Sequence, residues 1–400
     1  MFNYSITRFI ISPQTKKRYI LILGIVFIAL SMRSPISSVG PLTEFIQNAL
    51  GLSYSMIGLI TTLPLICFAA LSGFTLYFTQ RFGLESTLGA ALIILTVGIL
   101  GRSFANIPAL YIGTLFLGIG IAVMNVLMPS IVKRDFSERS GFMTSLYSGV
   151  MGIGATLGAG VSVPIAHATN WKFALGCWAI FAVFGLIFWI PQLRNQTKPK
   201  NPIHIFTAVK KLGSSPIAWQ IALFMGLQSL IFYAVLAWLP EILIDRGMTP
   251  TKAGFILSIS QGTGILGSLI VPVIAGRFND QRKVVLVASA MEIMGIAGIL
   301  ITDTFLVSTW AGILGIGLGG NFSLALLFMV LRSDSAELTT GLSGMAQSVG
   351  YFIAAFGPVL FGFIHDLTSS WSIPLYSMLS IAFIQLIAGL GAARDKIIST

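Results

Sequence analysis

The chain is a succession of long apolar runs separated by short polar breaks. An α-helix needs about 20 residues to cross about 30 Å of hydrocarbon. Runs of that order recur over 19–48, 54–80, 84–104, 107–132, 141–167 and 170–193, then over 216–243, 250–276, 283–302, 307–331, 338–365 and 371–393. This pattern predicts twelve transmembrane helices, six on each side of a basic, proline-containing stretch from Arg194 to Ser215 (RNQTKPKNPIHIFTAVKKLGSS). The expected organisation is an N-terminal six-helix bundle over 1–193, a cytoplasmic linker over 194–215 and a C-terminal six-helix bundle over 216–400.

Composition removes the alternative of two soluble domains. Hydrophobic residues make up 55% of the chain and charged residues 9%, whereas soluble domains carry about 25% charged residues. A chain this poor in polar groups cannot cover a water-exposed globule. Three histidines and two cysteines supply no set for a metal cluster, a disulfide framework or histidine-based catalysis. Cys67 and Cys177 are isolated and read as small apolar fillers, while His167, His204 and His365 fall at loops or helix ends. No phosphate-cradling GxxxxGK sequence is present, so ATP hydrolysis by this chain is not expected. The reading is a protein without catalytic residues, metal or cofactor. The rival, a membrane-embedded enzyme or sensor, lacks a nucleophile, base or metal set within the spans and lacks an appended signalling domain.

The formal net charge of +11 resolves by position. With the N-terminus in the cytoplasm, nineteen of the 24 lysines and arginines fall on that side, four fall outside (Arg102, Lys172, Arg246 and Lys252), and Arg33 lies within a span. An excess of basic residues in cytoplasmic loops orients membrane proteins. Both termini are therefore expected in the cytoplasm, in a multi-pass protein of the cytoplasmic membrane. The charge is accounted for by the lipid surface without a nucleic-acid partner. The first apolar run continues past Arg33 into a full span with no small-residue cleavage site ahead of it, so no removable leader is expected.

The two halves repeat each other. At a shift of 196 residues Gly51 falls on Gly247, Gly58 on Gly254, Ser72 on Ser268, Arg81 on Arg277 and Phe82 on Phe278; at 200, Gly141 meets Gly341, Ser148 meets Ser348 and Trp171 meets Trp371. Two six-helix halves in a parallel repeat are the arrangement of major facilitator transporters, whose substrate site lies between the halves near the bilayer midplane. The predicted fold is thus an all-α membrane protein with twelve transmembrane helices in two six-helix pseudo-repeats.

Arg33 is the most informative residue. A charge near the centre of a span costs about 2.5 to 3.5 kcal/mol even on a lenient scale, and such a cost requires compensation. Ser37 and Gly40 follow at i+4 and i+7, which makes a small polar stripe along the first helix. One reading is an arginine satisfied by a neighbouring helix; the other is an anchor for substrate, since a guanidinium offers planar paired donors to a small anion or a planar polar heterocycle. Asn125 in the fourth span and Asn321 in the tenth are repeat mates at the 196 shift, and both amides are candidates to face a central cavity or to bond neighbouring helices. Gln228, Gln261 and Gln347 carry the same two readings. Gln347 and Tyr351 form an i, i+4 pair, and their face is expected to meet water. Tyr147, Phe232, Tyr233 and Trp238 are candidate aromatic walls. Glu292, mid-way along the ninth span, is the carboxylate placed deepest in the membrane; burial there favours a neutral acid, which makes it a candidate proton carrier for coupling. Glu44 and Glu241 lie towards the outer ends of the first and seventh spans. Prolines 35, 41, 64, 129, 164, 240, 272 and 358 mark expected bends. The glycines from Gly149 to Gly160 in the fifth span permit close helix contact.

The stretches RSPISSVGP (33–41), NVLMPSIVKRDF (125–136), WLPEIL (238–243), GIGLGGNFSLAL (315–326) and LSGMAQSVGYFIAAFGP (342–358) resemble the cyanate permease and nitroimidazole transporter family of the major facilitator superfamily along nearly the whole chain. The resemblance implies secondary transport by alternating access, with Arg33 matching the first-helix arginine, Asn125 the fourth-helix asparagine, and Gln347 with Tyr351 the eleventh-helix motif. The superfamily's loop signature is degraded, because Gln80 stands before Arg81 where an aspartate is expected and the second copy reads GRFNDQRK (276–283). The expected cargo is a small anion such as cyanate; the alternative is export of planar heterocycles or drugs such as nitroimidazoles. The expected partners are that small molecule, protons as a coupling ion and the lipid bilayer, with the chain acting as a monomer.

Overall fold

A computed structural model describes residues 13–52, 54–104, 106–194, 205–302 and 306–398. His204 and most of the stretch that precedes it in the linker lie outside the described residues. Among the described residues, twelve helices are long and apolar enough to cross a membrane. We label them α1 (Arg18–Leu50), α2 (Gly58–Phe82), α3 (Leu84–Gly101), α4 (Ile107–Asp135), α5 (Ser137–Ala168), α6 (Trp171–Arg194), α7 (Pro216–Asp245), α8 (Lys252–Ala275), α9 (Arg282–Ile301), α10 (Val307–Leu331), α11 (Ala336–Thr368) and α12 (Ser372–Ala392). Helices are the answer an apolar solvent allows, because each satisfies its own backbone groups.

Polar side chains set where several helices begin. Asn106, Asn170, Ser215, Thr249 and Ser335 each accept a bond from a backbone N–H of the first turn, which satisfies one of the donors a helix start leaves open. The turns after α1 and α7 reuse one device at repeat-related positions: Gly51 and Gly247 adopt φ of 66° and 86°, a left-handed conformation that glycine enters without a Cβ penalty.

The expected bends separate into two kinds. Pro35, Pro64, Pro129, Pro164, Pro240 and Pro272 sit inside continuous helix. Pro41 and Pro358 sit where the helix is interrupted. α1 is regular to Ser37, tightens into a 3-10 turn over Gly40–Leu42 and restarts at Thr43. α11 breaks between Ala355 and Gly357. The stretch read as a linker is not all irregular, for Ile205–Ser214 is a helix and Leu212 is buried where it meets Gly341 at the start of α11.

Apolar packing shows how the halves meet. One buried cluster draws on both halves and occupies the end of the molecule that carries the linker: Met143, Ala275, Ile217, Leu327 and Leu342 all belong to it. At the opposite end there are two separate clusters. Val39, Leu42, Leu110 and Trp171 form one, entirely from the first half; Leu239, Ile256, Leu314 and Trp371 form the other, entirely from the second. The halves are therefore joined at the linker end and parted at the other.

Individual contacts say the same. Near the linker end the Ser145 hydroxyl of α5 donates to the Leu269 carbonyl of α8, and Ser148 donates to the Ser268 carbonyl at 3.3 Å. Thr340 of α11 bonds Ser130 of α4 at 2.8 Å, and the Gly73 N–H of α2 donates to Ser348 of α11 at 2.9 Å. A Cβ on Gly141 would collide with the Pro272 carbonyl, so the small residue is what lets α5 and α8 cross there. Further along, the two helices diverge: side chains at Gly160 and Gly262 would meet nothing within 4 Å.

Candidate functional site

The floor of the opening between the halves is built around Arg33. It sits in the last turns of the regular part of α1, just before the Gly40–Pro41 interruption. Protein surrounds the guanidinium, yet the residue keeps partial exposure, as do Ser37, Tyr233 and Phe322. Its carbon lies 5.6 Å from the centroid of the Phe322 ring of α10. Its polar neighbours are the hydroxyls of Tyr233 on α7 and Tyr351 on α11. Among the described residues no carboxylate forms an ion pair with it. A desolvated cation faced by aromatic rings and phenols, with no anion to neutralise it, is prepared to take an anion or an electron-rich acceptor.

The wall next to Arg33 comes from α4, α5 and α11. Tyr351 is buried and packs on Phe68 of α2 with ring centroids 4.9 Å apart. One turn earlier, Gln347 is fully buried; its amide donates to the Asn125 carbonyl at 2.8 Å and to Ser343 at 2.9 Å. A carbonyl can only accept, so these partners fix which end of the Gln347 amide carries nitrogen. The Gln347 Oε1, the Asn125 Nδ2 and the Tyr147 hydroxyl are all buried without a hydrogen-bond partner. Buried polar atoms are rarely left open, because each costs about 1 to 3 kcal/mol. These three atoms belong to α11, α4 and α5, helices that meet the other half. The expectation that the face of Gln347 and Tyr351 meets water is corrected: both are buried, by Asn125 and Ser343 in one case and by Phe68 and Arg33 in the other.

Other sequence candidates fall elsewhere. Gln228 is buried, and its amide bonds within its own helix, to the Met225 carbonyl at 3.1 Å and to Ser229 at 2.7 Å. Gln261 on α8 is partly exposed. Asn321, although it is the repeat mate of Asn125, does not join Arg33. It is turned into the second half, where its amide donates to Glu292 of α9 and its carbonyl accepts from Ser289 at 3.3 Å. Adjacent helical residues point about 100° apart, and so Phe322 takes the position facing Arg33 while Asn321 faces away. Glu292 is fully buried and also accepts from Gln385 of α12 at 2.8 Å. Of the aromatic candidates, Tyr233 reaches the guanidinium and Phe232 lies against Tyr233 at 5.2 Å. Trp238 instead bonds the Pro358 carbonyl at 2.8 Å and lies by Trp371 at the outer end.

Sequence reasoning missed Phe322 and the burial of Arg102. The motif GIGLGGNFSLAL contained the phenylalanine, but nothing in it distinguishes the inward face of α10. Arg102, counted on the outer side at the end of the third span, is 1% exposed. It donates to Ser38 of α1 at 3.2 Å and to the Leu175 carbonyl of α6 at 3.4 Å, tying three helices of the first half together.

Comparison with known proteins agrees with this architecture. The family model described as Major Facilitator Superfamily matches residues 21–358. The chain belongs to that superfamily. It is 38% identical over 95% of its length to the 2-nitroimidazole transporter of Escherichia coli strain K12, covering 97% of that protein. It is 28% identical over 88% of its length to the cyanate transport protein CynX of the same organism, covering 91% of it. Among solved structures, a major facilitator superfamily transporter, FucP, in the outward conformation aligns with a TM-score of 0.73 at 12% identity, covering 93% of this chain and 97% of that one. These comparisons support the resemblance to the cyanate and nitroimidazole family. As a member of the superfamily the chain is a multi-pass transporter.

Proposed function

We propose that the chain is a secondary transporter of small planar guests rich in hydrogen-bond acceptors, of which a nitro-substituted azole fits best, and that it works by alternating access. The observation that carries this reading is Arg33: a guanidinium at the base of the opening, without a carboxylate, between the Phe322 face and the Tyr233 and Tyr351 hydroxyls. A nitro group or ring nitrogen accepts from the guanidinium and phenols, and the flat ring lies against the aromatic side chains. The open Gln347 Oε1 is an acceptor and is satisfied by a ring N–H. The 38% identity to a 2-nitroimidazole transporter supports the same guest.

A second reading, a small inorganic anion such as cyanate, is favoured by the uncompensated charge of Arg33 and by the relative named for cyanate. It leaves Gln347 Oε1 without a donor. In either reading the basic linker side faces the cytoplasm, so the arrangement seen here opens outward. The 1–193 and 216–400 segments are the two rocking bodies, and a monomer in the cytoplasmic membrane is sufficient for transport without chemical change of the guest. Binding moves the outward and inward populations only through its different affinity for each.

The test is thermal stabilisation of the purified protein by 2-nitroimidazole, unsubstituted imidazole, cyanate and nitrate. The azole reading expects the largest stabilisation from 2-nitroimidazole and loss of that stabilisation in Arg33→Gln. Stabilisation by cyanate with none from the azoles establishes the second reading. Stabilisation by none of the four overturns both.

A further inference from the structure

A buried polar cluster lies within the second half, away from Arg33. Glu292 is 0% exposed in the middle of α9. Its Oε2 accepts from Asn321 of α10 and from Gln385 of α12, while its Oε1 and the Oε1 of Gln385 are buried without partners. The groups facing it are neutral. α10 and α12 contain no charged residue; α9 carries Arg282 and Lys283 only at its first turn, and α8 carries Lys252 only at its far end. A carboxylate here would hold its charge in an apolar surround with one oxygen bare, whereas a neutral acid has a carbonyl oxygen to accept the two amides and a hydroxyl to donate.

The cluster is tied to the opening through one helix. Asn321 bonds Glu292, and the next residue, Phe322, faces Arg33. α10 is seated closely on its neighbours, since a Cβ at Gly317 would collide with the Glu292 backbone and one at Gly319 with the Gly264 carbonyl. A rotation of α10 that carries Asn321 away from Glu292 also carries Phe322 away from Arg33, because both residues ride on one backbone.

We propose that Glu292 is the binding site of a transported proton, loaded in the outward-facing arrangement and coupled to the guest site by the Asn321–Phe322 step of α10. The proton enters from the side opposite the linker and is held on the Glu292 carboxyl while the Glu292, Asn321 and Gln385 cluster is closed. It leaves towards the linker side when movement of α10 opens the cluster to water. Loss of the proton creates a carboxylate that the closed cluster cannot solvate, so the ionised form favours the arrangement in which α9, α10 and α12 part.

This inference rests on the transport reading for its function but not for its first observable. Difference infrared spectroscopy of the purified wild type across a pH titration, with no guest present, should show a carboxylic-acid C=O band that Glu292→Gln removes. Absence of such a band, or its persistence in the variant, overturns the proposal whatever the guest proves to be. Glutamine keeps an oxygen for both amide donors, so the cluster retains its bonds. In liposomes, Glu292→Gln should keep exchange of labelled 2-nitroimidazole across the membrane and lose accumulation driven by a pH gradient, down to the level of protein-free vesicles. Driven accumulation equal to wild type in Glu292→Gln removes the coupling role. Wild-type vesicles that move no 2-nitroimidazole sink the guest reading and leave the infrared result to decide the proton site.

Discussion

The two halves share a fold and a repeat but distribute charge in opposite ways. Among the described residues, the first half places Arg33 and Arg102 in its interior with no carboxylate bonded to either, and the second buries Glu292 with no cation bonded to it. Asn125 and Asn321 show the consequence at equivalent positions. In the first half the Asn125 side chain has a buried Nδ2 without a partner, while its backbone carbonyl accepts from Gln347; in the second the same residue is consumed by Glu292 and Ser289. A repeat therefore conserves backbone placement while one acidic residue is enough to reassign a side chain. The N-half equivalent of Glu292 at the 196 shift is Thr96, whose hydroxyl bonds its own helix at the Leu92 carbonyl, and so nothing in that half draws Asn125 away from the centre.

At the linker ends the pairing is reversed, and it is the first half whose arginine meets a carboxylate. Arg134, at the end of α4, pairs with Glu85 at 2.5 Å. Arg332, just beyond α10, instead bonds Gln281, the position equivalent to Glu85, together with the Ala392 and Ala393 carbonyls at 2.9 Å. An arginine thus braces the base of each half, with a carboxylate in one and an amide plus helix-end carbonyls in the other.

The largest effect that probes the contrast is on the sealing of the second half. Gly319→Val places a side chain against the Gly264 carbonyl and should destabilise the protein by about 3 kcal/mol or more, seen as loss of a cooperative thermal transition in detergent. Gly160→Ala in the first half, with open space around it, should leave that transition unchanged; equal damage from both would deny that the halves part at that end.

Next come the paired asparagines. Asn321→Ala removes a donor from a buried carboxyl and should lower stability by about 2 kcal/mol, with little change in affinity for 2-nitroimidazole. Asn125→Ala should do the reverse, weakening binding with little change in melting temperature. Matching phenotypes would erase the distinction between the halves. Smaller again, Tyr233→Phe and Tyr351→Phe each delete one hydroxyl beside Arg33 and should weaken binding about fivefold, about 1 kcal/mol, measured by titration calorimetry. The last comparison concerns the braces at the linker end, where Glu85 and Gln281 are buried and Arg134 is partly exposed: Glu85→Gln keeps an oxygen for Arg134, which still pairs with Asp135, and should lower stability by about 1 kcal/mol, read from thermal unfolding.

Much of this was legible in the sequence. Twelve spans and the two-half repeat follow from hydropathy and patterning, because those properties act on whole helices, and the cost of an intramembrane charge singles out Arg33 as a residue that needs compensation. Side-chain direction was not legible. Whether Asn321 faces the opening or Glu292 depends on the rotation of α10, and that rotation is set by Gly317 and Gly319 seating against α9 and α8, contacts between residues distant in sequence. The burial of Arg102 was hidden for a related reason: a charge at the outer end of a span reads as solvated until Ser38 and Leu175 are seen to bond it. The break at Pro358 differs from the continuous helix at Pro272 although both prolines looked alike, and the flanking Gly357, which meets the Leu230 carbonyl of α7, accompanies the interruption.

The central claim is that an uncompensated guanidinium in the first half anchors the guest while the buried acid of the second half does not touch it. Calorimetric titration of 2-nitroimidazole into wild type, Arg33→Gln and Glu292→Gln tests this most directly. The account predicts saturable binding to wild type, a loss of about 100-fold or more in Arg33→Gln, about 2.7 kcal/mol, and near-native affinity in Glu292→Gln. Undiminished binding to a folded Arg33→Gln protein would contradict it.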